Sequence, residues 1–379
     1  MREDGPFEMA VHVLDAMARE GFEQLVALHD RRSGLRAFLG IHDTSRGPAF
    51  GGIRRFAYRD EKSGLLDCLR LSRAMSLKCA LAGVRGGGAK LVVFDHPGLD
   101  LAGAYRHVGR CIEEQSGRYY AGPDVGTGWT ELAWVAERTD YVTQAGERGP
   151  GDLAAATTAG VFAGIGAALR HLDGEEAWDR RTVVVQGLGS VGWRLAERLR
   201  ALGTRVLAAD LDDSVRDRAR AELDVEWLAP GSELEAPCDV FAPCAMGGLL
   251  HDLSIQRLRS LIVCGAANNP LARSYHAALL EERGILYVPD IAVNSGAVIR
   301  GAEFHLQGRR TTLEEIESRV GRVVAHVLRT ARAEGRSPFA VAHREAERRL
   351  HETGAAGDDE AADGSRTVAP VPVVPDEAR

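Results

Sequence analysis

A chain of 379 residues, 45% of them hydrophobic, is too long for one ordinary core and predicts two packed units of about 150 to 200 residues with a cleft between them. A formal net charge of −7 and a pI near 6.0 give no basic field for nucleic acid. No run approaches the roughly 20 apolar residues of a membrane span, so neither nucleic acid nor membrane is expected as a partner.

The amino terminus, MREDGPFEMAVHVLD, lacks the charged-then-apolar plan of a signal peptide. Strand-like runs (FEQLVALHD from Phe22, LRAFLGIHD from Leu35, LVVFD after RGGGAK) mix with helical ones (from Gly64 and Asp100), which predicts an N-terminal α/β unit over 1–150. From about Asp152 the rhythm changes. Helix TTAGVFAGIGAALRHL, strand RTVVVQG, helix SVGWRLAERLRALG and strand RVLAAD are followed by CDVFAPC, LIVCGAA and ILYVPD with helical intervals. That alternation predicts a doubly wound Rossmann unit over 151–330. Two amphipathic helices follow Gly308, of which about 331–353 is expected to pack back on the first unit; the Gly-, Ala-, Asp- and Pro-rich stretch 354–379 reads as a disordered tail. The six cysteines (Cys68, Cys79, Cys111, Cys238, Cys244, Cys264) show no C-x-x-C spacing, which points to reduced thiols, a cytoplasmic location and no metal site. Cys244 and Cys264 read as small buried residues rather than nucleophiles.

The most specific local signal is VVVQGLGSVGWRLAERL, where Gly187, Leu188, Gly189, Ser190, Val191 and Gly192 form G-x-G-x-x-G between a strand and a helix. Gly187 permits the tight turn, Gly189 lets a pyrophosphate reach the backbone, and Gly192 lets the helix pack close. About 20 residues on, Asp210 ends the next strand, where a carboxylate can hold ribose hydroxyls and repel a 2′-phosphate. The cofactor is therefore read as NAD. The first unit must then present a substrate, and its candidates are Lys78 in the apolar LKCALAGV, Lys90 behind the glycines of RGGGAK, and Asp124 in AGPDVGTG. Taken singly these could be a helix-face charge, a strand-start lysine and a cap residue.

In the motifs GPAFGGIRRF, SLKCALAGVRGGGAK, GRYYAGPDVGTG, TTAGVFAG, QGLGSVG, CDVFAPCAMGG, GAANN and GILYVPDIAVNSGAVI, the chain resembles the Glu/Leu/Phe/Val amino acid dehydrogenases, from about Leu35 to Leu350. The phenylalanine and leucine enzymes look most similar. The resemblance implies reversible oxidative deamination of an L-amino acid to a 2-oxo acid and ammonia, in a homo-oligomer. It assigns Lys78 to the substrate α-carboxylate, Lys90 to catalysis as an amine that takes a proton from water, and Asp124 to the substrate amino group and proton shuttling. It also implies that Gly86, Gly87 and Gly88, with Gly51 and Gly52 facing them, let the backbone approach the reacting amino acid and cofactor.

Further matches are Thr157, Asn269 and Asn294 beside nicotinamide and substrate, with Ala245, Met246 and Ala266 bordering the cofactor. Phe50 stands where glutamate enzymes carry a lysine, and Gly122, Val298 and Gly301 complete an apolar, enlarged side-chain pocket. A bulky apolar substrate of phenylalanine or leucine type is expected. One rival is a catalytically silent NAD-binding regulatory protein, which should have lost a reacting group. Another is a 2-hydroxy acid dehydrogenase, which would want a histidine in the cleft, and none lies in the motifs assigned to it.

Overall fold

A computed structural model describes residues 13–245 and 247–357, with side chains described as far as Glu352. Its first part carries helix α1 (Val13–Glu20), strands β1 (Gln24–Asp30), β2 (Leu35–Asp43) and β3 (Ala49–Phe56), helix α2 (Glu61–Leu81), strand β4 (Gly87–Phe94), helix α3 (Leu101–Glu113), strand β5 (Tyr119–Gly122) and helix α4 (Trp129–Ala136). The five strands form one sheet in the order β1-β2-β4-β3-β5. β4 runs antiparallel to β2 and parallel to β3. Alternation along β2 explains its place near the middle. Leu35, Ala37, Leu39 and Ile41 enter a core with α3 and α4, while Phe38 on the other face meets Leu65 and Cys68 of α2. The helix α2 starts where Asp60 accepts from Ser63 N at 2.7 Å, an N-cap that satisfies one of the free amides of the first turn.

The glycines expected ahead of this strand belong to it: Gly87 pairs with Ala49 and Gly88 with Phe50. β4 is buried along its whole length.

The second part begins with α5 (Leu153–Asp173) and continues β6 (Thr182–Gln186), α6 (Ser190–Ala201), β7 (Arg205–Ala209), α7 (Asp213–Leu223), β8 (Glu226–Trp227), β9 (Cys238–Pro243), α8 (Asp252–Arg257), β10 (Ser260–Val263), α9 (His276–Glu282) and β11 (Leu286–Tyr287). All six strands are parallel in the order β11-β10-β9-β6-β7-β8. The direction of winding reverses between β6 and β9, and in such sheets a ligand crevice opens beyond the carboxyl ends of those two strands. Helices α10 (Asp290–Val293), α11 (Gly296–Gln307), α12 (Leu313–Glu334) and α13 (Pro338–Gly357) complete the described chain.

α5 is long and apolar enough to cross a membrane by length and composition, which corrects the expectation that no segment qualifies. Its apolar surface is spent inside the protein against α12, α11 and α6. α13 returns to the first part and packs on α2: Arg349 donates to Leu81 O at 2.6 Å, and Arg73 pairs with Glu347 at 2.6 Å. Of the stretch read as a disordered tail, 354–357 continue α13, and the rest lies outside the described residues.

Candidate active site

The nucleotide loop is built from its glycines. Gly187 sits at φ +89°, a left-handed conformation that L side chains rarely adopt, and turns the chain out of β6. A Cβ on Gly192 would lie 1.9 Å from Gly187 O, so α6 approaches the loop only because position 192 is bare. A Cβ on Gly189 would meet nothing within 4 Å. That bare backbone stands at the amino end of α6, where free amides and the helix dipole favour a phosphate. Asp210 follows β7 and accepts from Leu188 N at 2.6 Å and Asp212 N at 2.9 Å, so its carboxylate reaches the loop itself. The arrangement fits a dinucleotide, with Asp210 at the carboxyl end of the strand beside the loop.

A cavity of about 560 Å3 collects the other groups. Lys78 from α2, Lys90 from β4 and Asp124 after β5 all line it, together with Gly189, Ser190, Val191 and Thr157 of the nucleotide side. Lys90 Nζ lies 2.7 Å from Asp124 Oδ2, and Arg54 Nε donates to the same oxygen at 2.9 Å. Arg54 also donates to Asp67 at 3.0 Å, and Tyr58 OH to Asp67 at 2.7 Å. Burial alone would raise the Asp124 carboxyl, but the adjacent Lys90 and Arg54 charges outweigh it and hold the group at about 2. Burial moves Lys78. Desolvation pushes it down to about 8 against the attraction of Asp290.

Lys78 Nζ donates to Asn268 Oδ1 at 2.9 Å, and Asn294 Nδ2 donates to the same oxygen at 3.0 Å. Asn269, at φ +48°, donates its backbone amide to Asp290 Oδ2 at 2.8 Å. Asn269 Nδ2 and Asn294 Oδ1 are buried without a partner, one donor and one acceptor among residues that line the cavity. A carboxamide could satisfy both. Ala245 and Ala266 line the same space, Gly187, Leu188, Gly192 and Asp210 do not, and Met246 lies outside the described residues. Cys264 is fully buried and its thiol is pushed up by burial, and the half-buried Cys244 is pushed up to about 11, which disfavours a thiolate at either position.

Phe50, Gly122, Val298 and Gly301 line the cavity together, with Thr143 and His305 beside them. Phe50 stacks on Tyr120 with centroids 5.5 Å apart. Cβ atoms on Gly122 and Gly301 would find ordinary contact or empty space, so both glycines leave volume.

The glycines of the first part require a correction. Gly51 and Gly52 do line the cavity, but a Cβ on Gly51 would fall 1.7 Å from Ala89 O, and one on Gly52 2.7 Å from Pro123 O. On Gly87 it would strike Asp43 O at 1.6 Å, on Gly88 Ser76 N at 2.1 Å, and on Gly86 the Phe50 ring at 2.6 Å. What comes near this backbone is the protein itself. The motifs assigned to the cleft carry no histidine, but His305, beyond them in the chain, lines it; its ring nitrogen bonds Thr143 rather than a carboxylate, so it is not built as an acid-backed proton shuttle. Arg54, Asn268, Asp290 and Thr143 were missed. Arg54, Asn268 and Asp290 stand in motifs already noted, GPAFGGIRRF, GAANN and GILYVPDIAVNSGAVI, whereas Thr143 carries no local signal.

Residues 23–141 match the family model described as Glu/Leu/Phe/Val dehydrogenase, dimerisation domain, and residues 210–349 match that of Glutamate/Leucine/Phenylalanine/Valine dehydrogenase. The chain is 36% identical to leucine dehydrogenase of Thermoactinomyces intermedius over 89% of its own length and 93% of that protein. It is 36% identical to phenylalanine dehydrogenase of Lysinibacillus sphaericus over 74% and 76%. The crystal structure of L-tryptophan dehydrogenase from Nostoc punctiforme superposes with a TM-score of 0.75 at 29% identity, covering 90% of this chain and 99% of that one.

Proposed function

The chain belongs to the Glu/Leu/Phe/Val dehydrogenase family, and from that premise we propose that it deaminates a bulky apolar L-amino acid of phenylalanine or leucine type, reversibly, to the 2-oxo acid and ammonia. The observation that carries this reading is that Lys78, Lys90 and Asp124 share one cavity with the amino end of the nucleotide helix. NAD, when bound, accepts the hydride that leaves the substrate Cα. Gly187, Leu188, Gly189, Ser190, Val191 and Gly192 hold its phosphates, Asp210 its ribose, and Asn269 and Asn294 its carboxamide, with Thr157, Ala245 and Ala266 alongside.

Lys78 receives the substrate α-carboxylate, oriented by Asn268. Both cations on Asp124 reach Oδ2, which leaves Oδ1 for the substrate ammonium. Asp124, 2.7 Å away, first relays a proton from the Lys90 ammonium to solvent, and the neutral amine then takes a proton from the water that attacks the imine carbon. Arg54 holds Asp124 in place and draws it back to the charged form after each relay. Among the described residues no lysine or arginine joins Phe50, Gly122, Val298 and Gly301 at the side-chain end, so glutamate would bury an uncompensated carboxylate at a cost of several kcal/mol.

The same reading divides the chain into a substrate part (1–150), a nucleotide part (151–330) and a returning C-terminal helix, and it places a homo-oligomer in the cytoplasm. No reacting group is lost, which the silent-protein alternative would need. The test is NADH formation from NAD with phenylalanine, leucine, valine and glutamate at alkaline pH. Phenylalanine and leucine should lead, and Lys90→Ala should lose at least about a thousandfold in kcat while NAD binding persists. Glutamate in the lead, or near-normal turnover by Lys90→Ala, refutes it.

A further inference from the structure

Val298, Gly301 and His305 occupy one face of α11 at i, i+3 and i+7, and all three line the cavity. The helix begins just after Asn294, whose amide is tied to Asn268 and so to Lys78. α11 therefore runs outward from the carboxylate-holding end. At about 1.5 Å per residue, the backbone of His305 lies about 10 Å beyond that of Val298. Helical side chains lean toward the amino end, so the imidazole points back toward the turn of Gly301 without filling the space there, since an added Cβ would meet nothing within 4 Å.

At this end His305 Nε2 and Thr143 Oγ1 share a hydrogen bond of 3.3 Å, and the imidazole centroid lies 4.8 Å from that of Tyr120. Burial pushes the histidine down to about 4, which favours a neutral ring, and in either tautomer the bond to Thr143 leaves this pair an acceptor lone pair on the threonine oxygen. The threonine hydroxyl has a second lone pair. Leucine or phenylalanine would offer these groups nothing, whereas a ring with an N–H or O–H at its edge would offer a donor.

Building on the deamination reading, we propose that His305 and Thr143 read the far edge of the substrate side chain, and that the protein prefers aromatic L-amino acids bearing a hydrogen-bond donor there, tryptophan or tyrosine, over phenylalanine. A site built to bond a polar group discriminates against analogues lacking it more sharply than an apolar pocket discriminates methylenes.

The experiment compares kcat/KM for leucine, phenylalanine, tyrosine, tryptophan and 3-(3-benzothienyl)alanine, the last being a tryptophan isostere in which sulfur replaces N–H. In the native protein tryptophan or tyrosine should exceed phenylalanine, and tryptophan should exceed its isostere by about tenfold. That ratio should fall to about one to three in His305→Leu and be partly kept by His305→Gln, whose amide oxygen still accepts. The isostere comparison needs no variant and stands even if His305→Leu folds poorly. Turnover of phenylalanine and leucine with tryptophan equal to its isostere, with neither polar aromatic ahead of phenylalanine, or with a ratio that survives His305→Leu, overturns this inference alone. No NADH from any of the five overturns the deamination reading, and the inference falls with it.

Discussion

Two glycine-rich stretches flank the same cavity, and they are bare for opposite reasons. At Gly86, Gly87 and Gly88 the absent side chains are replaced by protein: the Phe50 ring, the 43–44 turn and the backbone of α2. At Gly189 the absent side chain is replaced by nothing the protein supplies. A missing Cβ in the first stretch supports the fold, and one in the second leaves room for a ligand. The same division separates polar groups, since Arg54 is saturated by Asp67 and Asp124 while Lys78 is held half-satisfied, buried and pushed down to about 8.

The largest effect should come from filling a glycine that protein already occupies. Gly88→Ala places a methyl 2.1 Å from Ser76 N on α2 and should cost about 3 kcal/mol or more, read as a lower urea midpoint. An unchanged midpoint would erase the contrast. Next, Lys78→Met should abolish deamination yet stabilise the fold by about 1 to 3 kcal/mol at pH 7, because it removes a buried charge held for the substrate.

That stabilisation has a pH signature. Lys78 titrates lower in the folded chain, at about 8, than unfolded, near 10.4, so between these values the unfolded state binds the extra proton. The native protein should therefore gain on Lys78→Met as pH rises through that window, and the gap in thermal midpoint should narrow. A gap that is constant from pH 7 to 10 contradicts the burial of this charge.

Gly301→Val fills space rather than protein. It should leave the thermal midpoint nearly unchanged while shifting kcat/KM by about tenfold from phenylalanine toward valine. Smallest in stability is Gly189→Ala, expected within about 0.5 kcal/mol of the native protein, with NAD affinity lowered all the same, as calorimetry can show. Equal damage to the fold from Gly88→Ala and Gly189→Ala would mean that the two stretches do not differ.

The parallel sheet was legible because β-branched runs such as TVVVQ alternate with helices at regular spacing, and GLGSVG sits where strand meets helix. β3 and β5 escaped notice since AFGGIRRF and YYAG are short and carry glycines that ordinarily mark turns. Lys78, Lys90 and Asp124 were visible as charges in apolar or glycine-rich settings. The cavity proper was not, because Thr143 and His305 reach it only through the packing of elements remote in the chain. Glycine runs announce a close approach, and local sequence does not say what approaches.

The bond from Leu188 N to Asp210 gives the nucleotide loop a latch of its own. The same carboxylate that would discriminate between two cofactors also shapes the cradle both would enter. Retargeting the protein to a phosphorylated dinucleotide by deleting that acid therefore loosens the receptor along with the selectivity, and a successful exchange must restore a hydrogen-bond acceptor for Leu188 in the same step.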